Sequence, residues 1–87
     1  MAQINADPDK LRDLSRKMKA AAGQIESMRS QLLKGLASTG WNDRERQKFE
    51  SELSADLKKA TAISQQLKSH YPAILERKAR ALDEFRR

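Results

Sequence analysis

The sequence predicts an all-α protein in which two long antiparallel helices form a helix-turn-helix hairpin. Three observations lead to this fold: two stretches with apolar residues at helical spacing, a helix breaker between them at Gly40, and a composition rich in helix formers. A chain of 87 residues is one small domain with a marginal core. We therefore expect a single domain over 1–87, with helix 1 over 8–37, a bend over 38–42 and helix 2 over 43–86.

The expected bend contains the sequence Gly40-Trp41-Asn42-Asp43. Gly40 lacks a Cβ and can adopt the left-handed angles that end a helix. Asn42 is a good N-cap, and Glu45 follows at the spacing of a capping box, so we expect Asn42 to start helix 2. Trp41 is the only tryptophan, and we expect its ring to pack across the bend against Leu36 or Leu33 on one side and Phe49 on the other, partly buried.

Helix 1 is expected to begin at Asp7-Pro8-Asp9, because Asp7 can cap and proline suits the first helical position. Its apolar residues then alternate at spacings of three and four, which is typical of a packing seam. The seam consists of Leu11, Leu14, Met18, Ala21, Ile25, Met28 and Leu32. Small residues over 20–23, including Gly23, favour close approach of another helix.

Helix 2 carries a less regular stripe of the same period, which contributes Phe49, Leu53, Leu57 and Leu67 to the expected core. Pro72 interrupts it, because proline cannot donate a hydrogen bond to the carbonyl of Lys68 and clashes with it. The alternatives are a kink or a break before a short third helix. We favour a kink, because the apolar stripe keeps its phase across the proline.

Two helices cover only one face of each other, so such a hairpin leaves apolar residues open to a partner. Pairing of two hairpins would close them into a four-helix bundle. The expected partner is a second copy, in a homodimer, or a paralogous hairpin, in a heterodimer.

The length, the two helices and the tryptophan at the bend resemble the WXG100 (ESAT-6-like) family of small helical hairpins. In place of the family's Trp-x-Gly the chain has Trp41-Asn42-Asp43, with Gly40 before the tryptophan. Tyr71 and Glu76 stand near the place of the family's C-terminal Tyr-x-x-x-Asp/Glu secretion signal, but the spacing is longer by one. The resemblance implies a virulence-associated dimer that is exported by a type VII secretion system, with a secretion ATPase as partner. It implies a cytoplasmic protein before export and a secreted one afterwards, without a cleaved signal peptide.

No pattern of residues predicts catalysis, a cofactor or a metal site. The chain has no cysteine and one histidine, His70, with no nucleophile or second ligand at a suggestive spacing. We expect a protein that is not an enzyme. The first ten residues lack the apolar run of a signal peptide, and no stretch approaches the length of a membrane span.

The net charge of +6 leaves other partners open, because it permits binding of nucleic acid or of an anionic membrane. The basic residues form two clusters, Lys10, Arg12, Arg16, Lys17 and Lys19, and Arg77, Lys78, Arg80, Arg86 and Arg87. Solvated helix faces explain them best, since no aromatic residues are interleaved for stacking on bases. Two alternatives to the WXG100 resemblance remain: a self-assembling subunit like those of type III secretion needles, and a basic nucleic-acid-binding hairpin.

Overall fold

A computed structural model describes residues 6–85, and all regular structure in this range is helical. Helix α1 runs over Pro8–Ser38, and helix α2 over Arg44–Gln65. A π-helical turn over Gln66–His70 leads directly into helix α3, Tyr71–Phe85. Helix α1 packs antiparallel to the continuous α2–α3 segment, which confirms the all-α hairpin. The expected end of helix 2 at residue 86 and the basic residues Arg86 and Arg87 lie outside the described residues.

The start of α1 follows the sequence signals. Asp7 is the N-cap, and its carboxylate accepts a hydrogen bond from the backbone N–H of Asp9 at 2.9 Å. Pro8 stands in the first turn, where its missing N–H costs nothing. At the other end α1 continues to Ser38, one residue beyond the expected boundary.

Proline 72 is accommodated by the π-helical turn that precedes it, rather than by a break in the helix. The N–H of Tyr71 donates to the carbonyl of Gln66, five residues back, so one extra residue is looped into the helix. The buried positions show the same insertion, with spacings of seven, eight and seven along Leu57, Ser64, Pro72 and Ala79. The extra residue therefore keeps the buried side of α3 in phase with that of α2.

The core of the hairpin is a stripe of mostly small side chains. Its buried members are Pro8, Ser15, Ala22, Leu36, Leu57, Ser64, Pro72, Ala79 and Leu82. On α1 the stripe follows a seven-residue repeat, and Leu11, Met18 and Ile25 lie half-buried beside it. Small residues let the helices approach closely, so they occupy the centre of the contact while larger side chains lie at its margins.

The helices are in close contact at Ala22 and Ser64, both almost completely buried. The Ser64 hydroxyl reaches the backbone carbonyl of Ala22 at 3.2 Å and the Glu26 carboxylate at 3.3 Å. The expectation of close approach in this part of α1 therefore applies to Ala22. Gly23 is exposed, and a Cβ added there would meet no atom within 4 Å.

Two buried serines in this contact should respond to alanine in opposite directions. The Ser15 hydroxyl is buried without a hydrogen-bond partner in the described part of the chain, whereas Ser64 has two acceptors. Ser15→Ala removes an unsatisfied polar group and should stabilise the fold by about 1 kcal/mol, while Ser64→Ala should destabilise it by about 1 kcal/mol. Chemical denaturation of both variants checks this, and a loss of stability in Ser15→Ala would contradict it.

Candidate interaction surface

The bend is built by backbone geometry at Gly40, whose φ of 73° lies in the left-handed region that favours glycine. Before it, the Thr39 hydroxyl donates a hydrogen bond to the Leu36 carbonyl at 2.7 Å. This bond satisfies one of the free carbonyl groups at the C-terminal end of α1. The same hydroxyl oxygen accepts from the N–H of Trp41 at 3.2 Å. These bonds fix the direction in which the chain leaves the first helix.

Asp43 holds the tryptophan to the start of α2. One carboxylate oxygen of Asp43 accepts both the N–H of Arg46, at 3.0 Å, and the indole N–H of Trp41, at 2.7 Å. The N-cap of α2 is thus Asp43, and the expected cap at Asn42 is wrong. An aspartate in this position also places its negative charge at the positive end of the helix dipole, which a neutral asparagine cannot do.

The Trp41 ring is half-buried and packs against Phe49 with the ring centroids 5.5 Å apart and the planes tilted by 47°. The expected contact with Phe49 is therefore confirmed. The indole and Phe49 line a shallow open groove with Glu45, Lys48 and Glu52. An aromatic pair with one side in solvent lies at the tip of the hairpin.

The double role of Asp43 leads to a prediction about the bend. Asp43→Ala should cost about 1–2 kcal/mol in stability because α2 loses its N-cap. It should also alter the tryptophan emission spectrum, since the indole loses its acceptor. Asn42→Ala is the matched control and should change stability by less than about 0.5 kcal/mol. A larger loss in Asn42→Ala than in Asp43→Ala, measured by thermal denaturation, would restore Asn42 as the cap.

One broad face of the hairpin exposes the large apolar side chains. They are Leu14, Met28, Leu32, Phe49, Ile63, Tyr71, Ile74 and Phe85, which we call the apolar face. Three of them precede a position of the buried stripe by one residue: Leu14 precedes Ser15, Ile63 precedes Ser64 and Tyr71 precedes Pro72. A side chain one residue earlier in an α-helix is rotated by about 100° around the helix axis. In antiparallel helices this rotation leads to the same side of the pair.

The opposite broad face, which we call the ion-paired face, joins the helices by polar contacts. Arg12 binds the carboxylate of Asp83, and Lys19 lies 3.6 Å from that of Glu76. Arg12, Lys19 and the Ser64 acceptor Glu26 each follow a buried residue of α1 by four, which turns them away from the apolar face. The hydrogen bond that Arg12 donates to the Asp83 carboxylate raises the pKa of Arg12 above its usual value, so this guanidinium stays charged.

The structure divides the seam expected from the sequence between the core and the apolar face. Leu11, Met18, Ala21 and Ile25 are half-buried along the contact between the helices, whereas Leu14, Met28 and Leu32 are exposed. On the second helix Leu57 is buried, Leu53 and Leu67 are half-buried, and Phe49 is exposed. Sequence reasoning missed the central positions Ser15 and Ser64, because serine carries little hydrophobic signal, whereas Ala22 lies in the stretch of small residues that was expected to allow close approach.

Tyr71 and Glu76, the residues near the expected secretion signal, lie on opposite faces. Tyr71 is exposed on the apolar face, where its ring meets that of His70 edge-on with the centroids 5.2 Å apart. Glu76 pairs with Lys19 on the ion-paired face. The structure therefore does not bring these two side chains together.

The members of the two basic clusters within residues 6–85 lie toward the open end of the hairpin, because α1 begins where α3 ends. Four members of the first cluster have carboxylate partners: Arg12 and Lys19 across the hairpin, and Arg16 and Lys17 at Asp13, at 3.6 and 3.3 Å. These carboxylates neutralise much of the local positive charge. Among residues 6–85 the geometry thus gives no continuous basic groove.

Within residues 6–85 no group of three or more histidine, aspartate or glutamate side chains could hold a metal ion. In the same range no helix is long and apolar enough to cross a membrane. The described residues form three distinct surfaces: an apolar face, an ion-paired face and an aromatic tip.

These features define a class of protein, an all-α helical hairpin with one apolar face. No protein-family model, no curated protein and no solved structure matches the chain.

Proposed function

We propose that this chain is a self-associating interaction protein, in which the apolar face of one hairpin binds that of a second copy to form a four-helix bundle. One observation carries the proposal. Eight large apolar side chains within residues 6–85 are exposed, and Leu14, Ile63 and Tyr71, each one residue before a buried position, lie on the same broad face of the hairpin. Scattered exposed apolar residues are common, but a face of this kind is typical of a protein interface.

The dimensions of the hairpin support a stable pair. Its principal extents are 65, 21 and 15 Å, so a broad face is large enough for the roughly 800 Å² that each partner buries in a standard interface. Leucine, isoleucine, methionine and phenylalanine on that face have the character of a bundle core. Pairing two such faces gives each helix a second apolar neighbour.

The function proposed for this dimer is that of a WXG100-like substrate of a type VII-like secretion system, acting outside the cell through protein–protein contacts. The support is the hairpin, the placement of Trp41 at its bend, and the aromatic tip that the indole forms with Phe49. Phe49 also belongs to the apolar face, so Trp41 is the part of the tip that a secretion ATPase would contact while the two copies remain paired.

Sedimentation equilibrium over a range from nanomolar to high micromolar concentration tests the dimer. We expect a monomer–dimer transition at or below micromolar concentration that persists in 0.5 M salt, because apolar burial is weakly sensitive to salt. A strict monomer throughout this range would refute self-association.

Export requires a separate test in the source cell. The protein should accumulate in the culture medium of cells with an intact FtsK/SpoIIIE-type secretion ATPase, and should stay in the cells when that ATPase is deleted. A cytoplasmic marker protein, measured in the same medium, controls for lysis. Equal export with and without the ATPase would refute the secretion route but not the dimer.

A further inference from the structure

The seven-residue repeat of buried positions on α1 has one exception. The stripe runs through Pro8, Ser15 and Ala22 and ends at Leu36, and the position of the repeat between the last two is Arg29. The side chain of Arg29 is exposed, because a guanidinium keeps its hydration by extending out of an apolar contact. A cation therefore stands where the rest of the stripe has small or apolar side chains.

Arg29 lies opposite Leu57 of α2. The contact of the Ser64 hydroxyl with the Ala22 carbonyl sets the level of the two helices. Seven residues toward the bend from Ala22 lead to Arg29, and seven residues toward the bend from Ser64 lead to Leu57. The exception in the stripe therefore falls directly on the contact between α1 and α2.

A cavity of about 150 Å³ lies between the two helices at this level, and we call it the Arg29 cavity. It is lined by side chains of both helices: Arg29, Leu33, Ser54, Leu57 and Lys58. Leu57 is buried and Leu33 is half-buried, so the two leucines form the base of the cavity. Arg29 and Lys58 are exposed and form its rim, with the half-buried Ser54 between rim and base.

The two cations at the rim have no carboxylate to neutralise them. Within residues 6–85 neither Arg29 nor Lys58 takes part in an ion pair. The acidic residues of the neighbouring turns are engaged elsewhere: Glu26 with the Ser64 hydroxyl at 3.3 Å, Glu50 with Arg46 at 3.7 Å, and Asp56 with Lys59 at 3.9 Å. The Arg29 cavity therefore carries an excess of positive charge contributed by both helices.

These side chains are the donors that proteins use to bind phosphate groups. The guanidinium of Arg29 presents a planar fork of N–H groups that matches two oxygens of a phosphate, and Lys58 adds a point charge. The hydroxyl of Ser54 supplies a further O–H donor. A water molecule needs about 10–15 Å³ of such a space, so a cavity of about 150 Å³ has room for the five heavy atoms of a phosphate group.

We propose that the Arg29 cavity is a phosphate-binding site, in which Arg29, Ser54 and Lys58 hold inorganic phosphate or the phosphate group of a small monoester. The site opens away from the apolar face, because Lys58 follows the buried Leu57 by one residue whereas Leu14 and Ile63 precede buried positions by one. It is therefore accessible in a single hairpin and in a pair, and the inference does not depend on self-association.

Titration of the ¹⁵N-labelled protein with inorganic phosphate, followed by NMR at constant ionic strength with chloride as the balancing anion, tests the site. We expect saturable shifts of the amide resonances of Arg29, Ser54 and Lys58. Absence of saturable shifts at these residues up to about 20 mM, a concentration that fills a site with a millimolar Kd, with both inorganic phosphate and phenyl phosphate would overturn the proposal.

The same titration with phenyl phosphate distinguishes the two sources of the phosphate group. Tighter binding of phenyl phosphate, whose ring has Leu33 and Leu57 to contact, would assign the site to a monoester. Equal or tighter binding of inorganic phosphate would assign it to the free ion. Either result supports a phosphate site in the Arg29 cavity.

Removal of single charges tests which residues bind. Arg29→Gln and Lys58→Gln should each raise the Kd for phosphate about tenfold, because each removes a charge-assisted hydrogen bond. Lys34→Gln is the matched control, because it removes the same charge from an exposed position of α1 that does not line the cavity. It should leave Kd within about twofold. A loss in Lys34→Gln as large as that in Arg29→Gln would overturn the site, since binding would then follow net charge.

Arg29→Leu separates binding from folding. Leucine completes the apolar stripe, so the variant should melt about 4 °C or more above the natural protein while its Kd for phosphate rises at least tenfold. Unchanged phosphate binding would overturn the role of Arg29 in the site. A lower melting temperature would show that Arg29 serves the fold, and would overturn its assignment to a ligand.

Discussion

Insertion of one alanine after Ser69 should unfold α3 from the hairpin. The π-helical turn already accommodates one extra residue, and a second would rotate α3 by about 100° relative to α1. Ala79 and Leu82 would leave the core, and Asp83 would lose Arg12. The exposure of Leu82 alone costs about 1.5–3 kcal/mol, a large part of the roughly 5 kcal/mol expected of a small domain. Circular dichroism should show a much lower melting temperature.

The matched control removes a residue from the same place. Deletion of Ser69 together with Pro72→Ala gives a spacing of seven between Ser64 and the residue at position 72, which a regular α-helix keeps in phase. This variant should melt no lower than the natural protein, since it removes both the π turn and the proline that favours it. Equal melting of the insertion variant and the natural protein would show that α3 does not depend on its phase.

Ile63→Glu should abolish the dimer and leave the hairpin folded. Ile63 is 55% exposed in the single chain and lies in the middle of the apolar face. A carboxylate there costs the monomer little. In the proposed dimer, the carboxylate of each copy is buried against apolar side chains. We expect a loss of about 3 kcal/mol or more, or at least 100-fold in Kd. Sedimentation equilibrium measures this loss, and circular dichroism checks the fold.

The neighbouring Ala62 supplies the control for this experiment. Ala62 is also exposed on α2 but points away from the apolar face, so Ala62→Glu introduces the same charge without entering the interface. It should change Kd less than about threefold. If Ile63→Glu were to dimerise as well as Ala62→Glu, the apolar face would not be the interface.

The candidate surface was only partly predictable from residue patterns. The expected seam correctly identifies apolar residues at helical spacing. The sequence does not say which of these residues face the second helix of the same chain. Leu14 and Met28 carry the stronger hydrophobic signal, yet Ser15 and Ala22 occupy the contact.

The sequence by itself determined that the chain is helical, that Asp7-Pro8 starts the first helix, and that Gly40 ends it, because these features depend on neighbours within a few residues. Only the tertiary structure decided which stripe of each helix is buried. Two stripes of residues, one position apart along the helix, have the same helical periodicity. The stripe with small residues is the buried one, because small side chains let the helix backbones approach each other. The same contact accounts for the π turn before Pro72. Packing against α1 keeps α3 in phase with α2, and the extra residue is taken up where the proline already weakens the regular helix.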